Sequence, residues 1–107
     1  MNESEFDVAA AATLARLEHA LEIAAPDIDA EFKGEGVLEL TLPDDSKVIV
    51  NRHGAAREIW VAAKSGGFHF RPDGPRWLDT RDGTELFAAL SRLLTEQGGS
   101  PVRLEAG

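Results

Sequence analysis

The chain has 107 residues, no cysteine and a net charge of −8, with 43% apolar and 28% charged residues. This is the composition of a folded globule long enough for one core, and the lack of thiols excludes disulfides, thiolate metal ligands, cysteine nucleophiles and cysteine-held iron–sulfur clusters from it. No apolar run approaches the roughly 20 residues of a membrane span, and the acidic opening MNESEFD is neither a signal peptide nor an Arg-rich transit sequence, so one cytoplasmic domain over residues 1–107 is expected.

Residues 3–25 read as an amphipathic helix. Phe6, Ala10, Leu14, Leu17, Leu21 and Ala24 recur at spacings of three and four, which puts them on one apolar stripe. Asn2 or Ser4 is the N-cap, with Glu5 or Asp7 three residues on in capping-box position, and Pro26 stops the helix. At 100° per residue Asp7, Glu18 and Glu22 form a row along the edge of the stripe.

DIDAEF, residues 27–32, reads as a strand with Ile28, Ala30 and Phe32 on one side and Asp27, Asp29 and Glu31 on the other. Turn residues 33–36 lead into VLELTL, and residues 43–46 turn again. Residues 47–70 form a three-strand meander. In it Val48, Val50, Ile59 and Val61 point to the core, while Ile49, Asn51, Glu58 and Trp60 lie on the opposite face. The hairpin through residues 63–66 sets Val61 opposite Phe68 and Trp60 opposite His69. Asp73-Gly74 signals one more hairpin, returning as a short strand around Trp77. A last helix opens on an Asp82–Glu85 capping box, carries Leu86, Phe87, Leu90, Leu93 and Leu94, and closes at Gly98 and Gly99. The final SPVRLEAG has few apolar groups and is expected along the surface. The fold class that follows is α+β: a two-layer αβ sandwich, an antiparallel sheet of about six strands with the N- and C-terminal helices packed on one face.

Charge is divided unevenly. Residues 1–45 hold twelve carboxylates against Arg16 and Lys33, a net of −10, whereas residues 46–107 net +2. Such a field repels nucleic acid and anionic membranes and attracts cations or basic protein surfaces, although a solvated, solubilising face explains most acidic surfaces. Trp60, a large aromatic on the open sheet face, has the profile of an interaction anchor. Phe68, Phe70 and Trp77 are core candidates, Arg52 pairs with a partner or with Glu58, and His53 and His69 receive no chemistry. No nucleophile motif, glycine-rich phosphate loop or HExxH is present, and an open carboxylate ridge lacks the cleft that acid–base catalysis needs. The chain therefore reads as a binding protein rather than an enzyme.

SEF opening a helix, then DIDAE, SKVIVNR, IWVA, SGGFHF, RW and DGTELF, in this order over roughly residues 3 to 97, resemble the bacterial frataxin family. The resemblance implies a regulator or adaptor of iron–sulfur cluster assembly, binding the cysteine desulfurase and the scaffold protein, with iron supply as a further role. By position it assigns weak Fe2+/Fe3+ binding to Glu18, Glu22, Asp27, Asp29 and Glu31, and the partner surface to Asn51, Arg52 and Trp60. It also implies a monomer when metal-free and no tightly bound cofactor. His19, Ile23, Ala24 and Ala25 stand where further carboxylates are common in the family. Carboxylates gathered in one patch suit iron because they are hard oxygen ligands, but their spacing makes no closed shell, so exposed, exchangeable binding is expected. A general protein-interaction adaptor with no specific metal role is the alternative, and a metal-assisted hydrolase the enzymatic one.

Overall fold

The computed structural model describes residues 1–105. Asn2 caps the first helix, α1 (Glu3–Ala24): its side chain accepts from Glu5 N–H and the Glu5 carboxylate accepts from Asn2 N–H. This reciprocal pair satisfies donors that the first turn leaves open. Six strands follow: β1 (Asp29–Phe32), β2 (Val37–Thr41), β3 (Lys47–His53), β4 (Glu58–Ala63), β5 (Gly66–Asp73) and β6 (Arg76–Asp79). They form one antiparallel sheet in the order β1-β2-β3-β4-β5-β6. The second helix, α2 (Leu86–Gly98), ends at Gly99.

Both helices lie on one face, as the alternation requires. Leu38, Leu40, Val48, Val50, Ile59, Val61 and Phe70 send buried side chains to that side, where they meet Phe6, Ala10, Leu14, Leu17 and Leu21 of α1 and Leu86, Phe87, Leu90, Leu93 and Leu94 of α2. Burying about a dozen large apolar side chains, at roughly 1.5–3 kcal/mol each, is the main drive against chain entropy. The expected register Val61↔Phe68 and Trp60↔His69 is present.

Five local expectations need correction. Ala24 is exposed and Ala25 buried, because the chain leaves helical geometry at Ala25 (φ −145°) while its N–H still bonds Leu21 O. The first strand begins at Asp29 rather than at residue 27: Ile28 N–H bonds Ala25 O, which keeps Asp27 in the turn after Pro26. The β5–β6 hairpin turns at Gly74-Pro75, since Asp73 pairs with Arg76; the left-handed φ of +59° falls on Gly74, where only glycine is unstrained. Glu85 is the N-cap of α2, accepting from Phe87 and Ala88 N–H, and Asp82 instead orders the preceding turn through Thr84 N–H. The C-terminal tail is docked: Thr95 Oγ1 exchanges two bonds with Val102, Leu104 N–H donates to Ser91 Oγ, and Leu104 is 5% exposed. Of this tail, residues 106 and 107 lie outside the described part.

A buried polar link joins the layers. Thr13, buried in the middle of α1, accepts from Trp77 Nε1 at 2.8 Å and donates to Ala9 O. The Trp77 ring also meets Phe6 edge-on, centroids 5.9 Å apart, a favoured aromatic geometry. Among the described residues no helix is long and apolar enough to cross a membrane.

Candidate functional site

Register fixes what the uncovered sheet face presents. Strand neighbours pass the face across as Val37↔Asn51↔Trp60↔His69 and Glu39↔Ile49↔Ala62↔Gly67. Asn51 and Trp60 thus share that face, as expected, and the register sets them directly opposite one another. Trp60 is not free there. Its indole stacks on His53 at 3.6 Å between centroids and 11° between planes, and on His69 at 4.2 Å and 10°. Its Nε1 donates to Glu58 Oε1 at 2.8 Å, and the same carboxylate oxygen lies 3.9 Å from His69 Nδ1. His53 is held in turn by Ala56 N–H, which donates to its Nδ1. The indole is therefore fixed in one orientation before any partner arrives, which lowers the ordering cost of a contact made through it.

The two histidines form the constellation that the sequence reading did not assign. His69 was already opposite Trp60 in the expected hairpin. His53 reaches the indole only diagonally, because its direct partner is Glu58, and diagonal neighbours remain within reach of rings.

Arg52 is placed differently from its sequence neighbours. It pairs with Ile59, a buried position, so it belongs to the helix-covered side. Its Nη1 lies 3.6 Å from Asp7 Oδ1 on α1, which replaces the expected pairing with Glu58. Gly36 packs against it: a Cβ there would sit 2.9 Å from Arg52 Nε, and Gly36 has φ +73°. Arg52 N–H also donates to Gly36 O at 2.7 Å. The residue ties α1 to the β2–β3 end of the sheet. Successive strand residues face opposite sides, so Asn51 and Trp60 share a surface that Arg52 cannot join.

The acidic residues collect along one border. Ala11 and Leu14 of α1 share a hollow with Phe32, and Glu22 shares one with Ile28, Asp29 and Ala30, so the acidic row of α1 runs beside β1. Glu22, Asp27, Asp29 and Glu31 are exposed, and Glu18 is half-buried. Glu31 pairs with Lys33 at 3.2 Å. Behind the border Lys47 Nζ sits 2.7 Å from Glu39 Oε1; this bond holds Glu39 below its ordinary 4.5 and raises Lys47 above its ordinary 10.5. Among the described residues no three His, Cys, Asp or Glu side chains gather closely enough to enclose a cation. The border fits a cation held by one or two carboxylates with much of its water retained. The opposite edge carries both signs, with Arg71 exposed, Arg76 paired to Asp73, and Arg81 near Asp79 and set 5.1 Å over the half-buried Phe68 ring.

Comparison with known proteins follows the same architecture. The family model described as a frataxin-like domain matches residues 1–100. The iron-sulfur cluster assembly protein CyaY of Dechloromonas aromatica (strain RCB) is 52% identical over 104 residues, spanning 97% of this chain and 99% of that protein. The protein of the same name from Janthinobacterium sp. (strain Marseille) is 52% identical over 109 residues, spanning 98% and 97%. Among solved structures, frataxin from Psychromonas ingrahamii is similar with a TM-score of 0.87 at 28% identity, over 96% of this chain and 97% of that one. Trimeric frataxin from the yeast Saccharomyces cerevisiae, complexed with ferrous iron, is similar with a TM-score of 0.62 at 27% identity, over 81% and 79%.

Proposed function

Since this chain belongs to the frataxin-like family, we propose that it serves iron–sulfur cluster assembly as a single-domain, cytoplasmic docking protein that works by surface contact and not by covalent chemistry. Its relatives carry that pathway in their names. The observation that carries the docking role is the preset indole of Trp60, locked between His53 and His69 on a face that, among the described residues, no other element covers. Aromatic side chains in fixed, partly desolvated positions supply most of the energy at many interfaces.

Two surfaces divide the work. The border of Glu18, Glu22, Asp27, Asp29 and Glu31 is steered to a basic patch on the cysteine desulfurase, with a rate that falls as salt screens the charges. Asn51 and Trp60 meet the scaffold protein. Arg52 takes no part in that contact and holds α1 against the sheet end. Iron travels as cargo on the border carboxylates, loosely bound, so that occupancy follows iron supply and other divalent cations compete. The ferrous complex of yeast frataxin supports iron as that cargo.

Turnover of a bacterial cysteine desulfurase, followed with and without this protein and with and without ferrous iron, tests the proposal. The added protein changes the rate, iron enlarges the change, and a Glu18→Lys/Glu22→Lys variant loses most of the effect at low salt. Unchanged turnover at saturating protein overturns it.

A further inference from the structure

β1 is an end strand, and among the described residues no strand pairs with its outer side. The direction of its backbone groups follows from the ladder. Lys33 N–H donates to Val37 O at 2.9 Å, and the register continues inward as Glu31↔Glu39 and Asp29↔Thr41. In an antiparallel pair, bonded and non-bonded residues alternate. Asp29 and Glu31 therefore turn their N–H and C=O groups toward β2, and those of Ala30 and Phe32 point away from the sheet.

Two separate hollows mark a groove beside this edge, between β1 and α1. Ala11, Leu14 and Phe32 line one together with Glu35 and Arg52, and Ile28 and Ala30 line the other together with Glu22 and Asp29. Phe32 keeps 41% of its surface exposed, an unusual state for an aromatic ring on the side of the sheet that faces a helix. Glu18 and Glu22 stand on the helix side of the groove, while Asp29 and Glu31 belong to the opposite face of β1. Outward backbone groups, an apolar floor and carboxylates on both sides thus occur together along a four-residue stretch.

We propose that this edge takes up an extended, basic segment of a partner protein as a seventh strand. The inference rests on the function proposed above, in which the acidic border receives a basic partner, and adds how that partner is held. Backbone bonds to Ala30 and Phe32 provide the pairing, as in other strand-addition complexes. Alternation then dictates the segment: apolar side chains at positions facing Phe32 and the groove, lysine or arginine at positions facing Asp29 and Glu31. A second copy of this chain fits badly, because pairing two β1 strands would set Asp29 and Glu31 against their own counterparts. The acidic edge rejects itself and admits a basic strand.

The probe is a capped hexapeptide of alternating lysine and valine, titrated into the isotope-labelled full chain and followed by amide NMR and hydrogen exchange. Its control is the same peptide N-methylated at every second amide, with charge and side chains unchanged. Binding slows exchange at the Ala30 and Phe32 amides by about tenfold or more and leaves Asp29 and Glu31, already bonded inward, unaltered; the methylated peptide binds about tenfold more weakly. Ala30→Pro removes one outward donor without touching the bonds to β2 and weakens binding of the unmodified peptide. Equal affinity of the two peptides overturns edge pairing while leaving a purely electrostatic border intact. Failure of the unmodified peptide to bind at all overturns edge pairing and the basic-partner premise together.

Discussion

Asn51 and Arg52 are neighbours in the chain and do unrelated things, because a strand sends consecutive side chains to opposite faces. Asn51 faces Trp60 in the open; Arg52 reaches under Gly36 to Asp7. Arg52→Ala removes a long side chain packed against α1 together with its ion pair, and is expected to cost about 1–2 kcal/mol of stability in denaturant unfolding. Its affinity for the scaffold protein stays near that of the parent chain. Lost affinity at unchanged stability would return Arg52 to the partner surface. The family pattern grouped Arg52 with Asn51 and Trp60, and the strand register sets Arg52 on the other face. The Trp60–His69 pairing was legible because the hairpin register fixes it. The His53 half of the stack was not, since a diagonal contact depends on the angle of the ring as well as on register.

At the scale of elements, sequence pattern located the two helices and all six strands, and missed details where apolar character is sparse. Thr13 was passed over in α1 because a threonine breaks the apolar count, yet it occupies the buried row and meets Trp77. Thr13→Val keeps the shape and removes the acceptor, stranding a buried indole N–H. The expected loss is about 1–3 kcal/mol, visible as a lowered melting temperature, and Thr13→Ser restores most of it by returning the oxygen. Equal melting temperatures for the valine and serine variants would show that this bond contributes nothing. The C-terminal tail was illegible for a related reason. A single leucine in an irregular segment has no period, and Leu104 is held in place by bonds that Thr95 makes to the backbone of Val102 and that Ser91 makes to the N–H of Leu104 itself. The start of β1 was misread because Ile28 alternates correctly but gives its N–H to the turn.

On the whole-molecule scale, two helices cover one side of the sheet and, among the described residues, leave the other open, with a charge gradient across it. Carboxylates concentrate toward β1, the charges near β5 and β6 balance, and Trp60 stands between the two edges. The gradient was legible as the split between residues 1–45 and the remainder, since that first stretch builds α1, β1 and β2. Its use was not, because a solvated face and a docking face have the same composition. The claim on which the rest depends is that the fixed indole is where a partner lands. Titration calorimetry of Trp60→Ala against the iron–sulfur scaffold protein tests it most directly. Trp60 sits outside the core, so the variant keeps its fold, and loss of an interface anchor of this kind weakens binding by about 30-fold or more. Binding as tight as that of the parent chain, with an intact fold, would contradict the account.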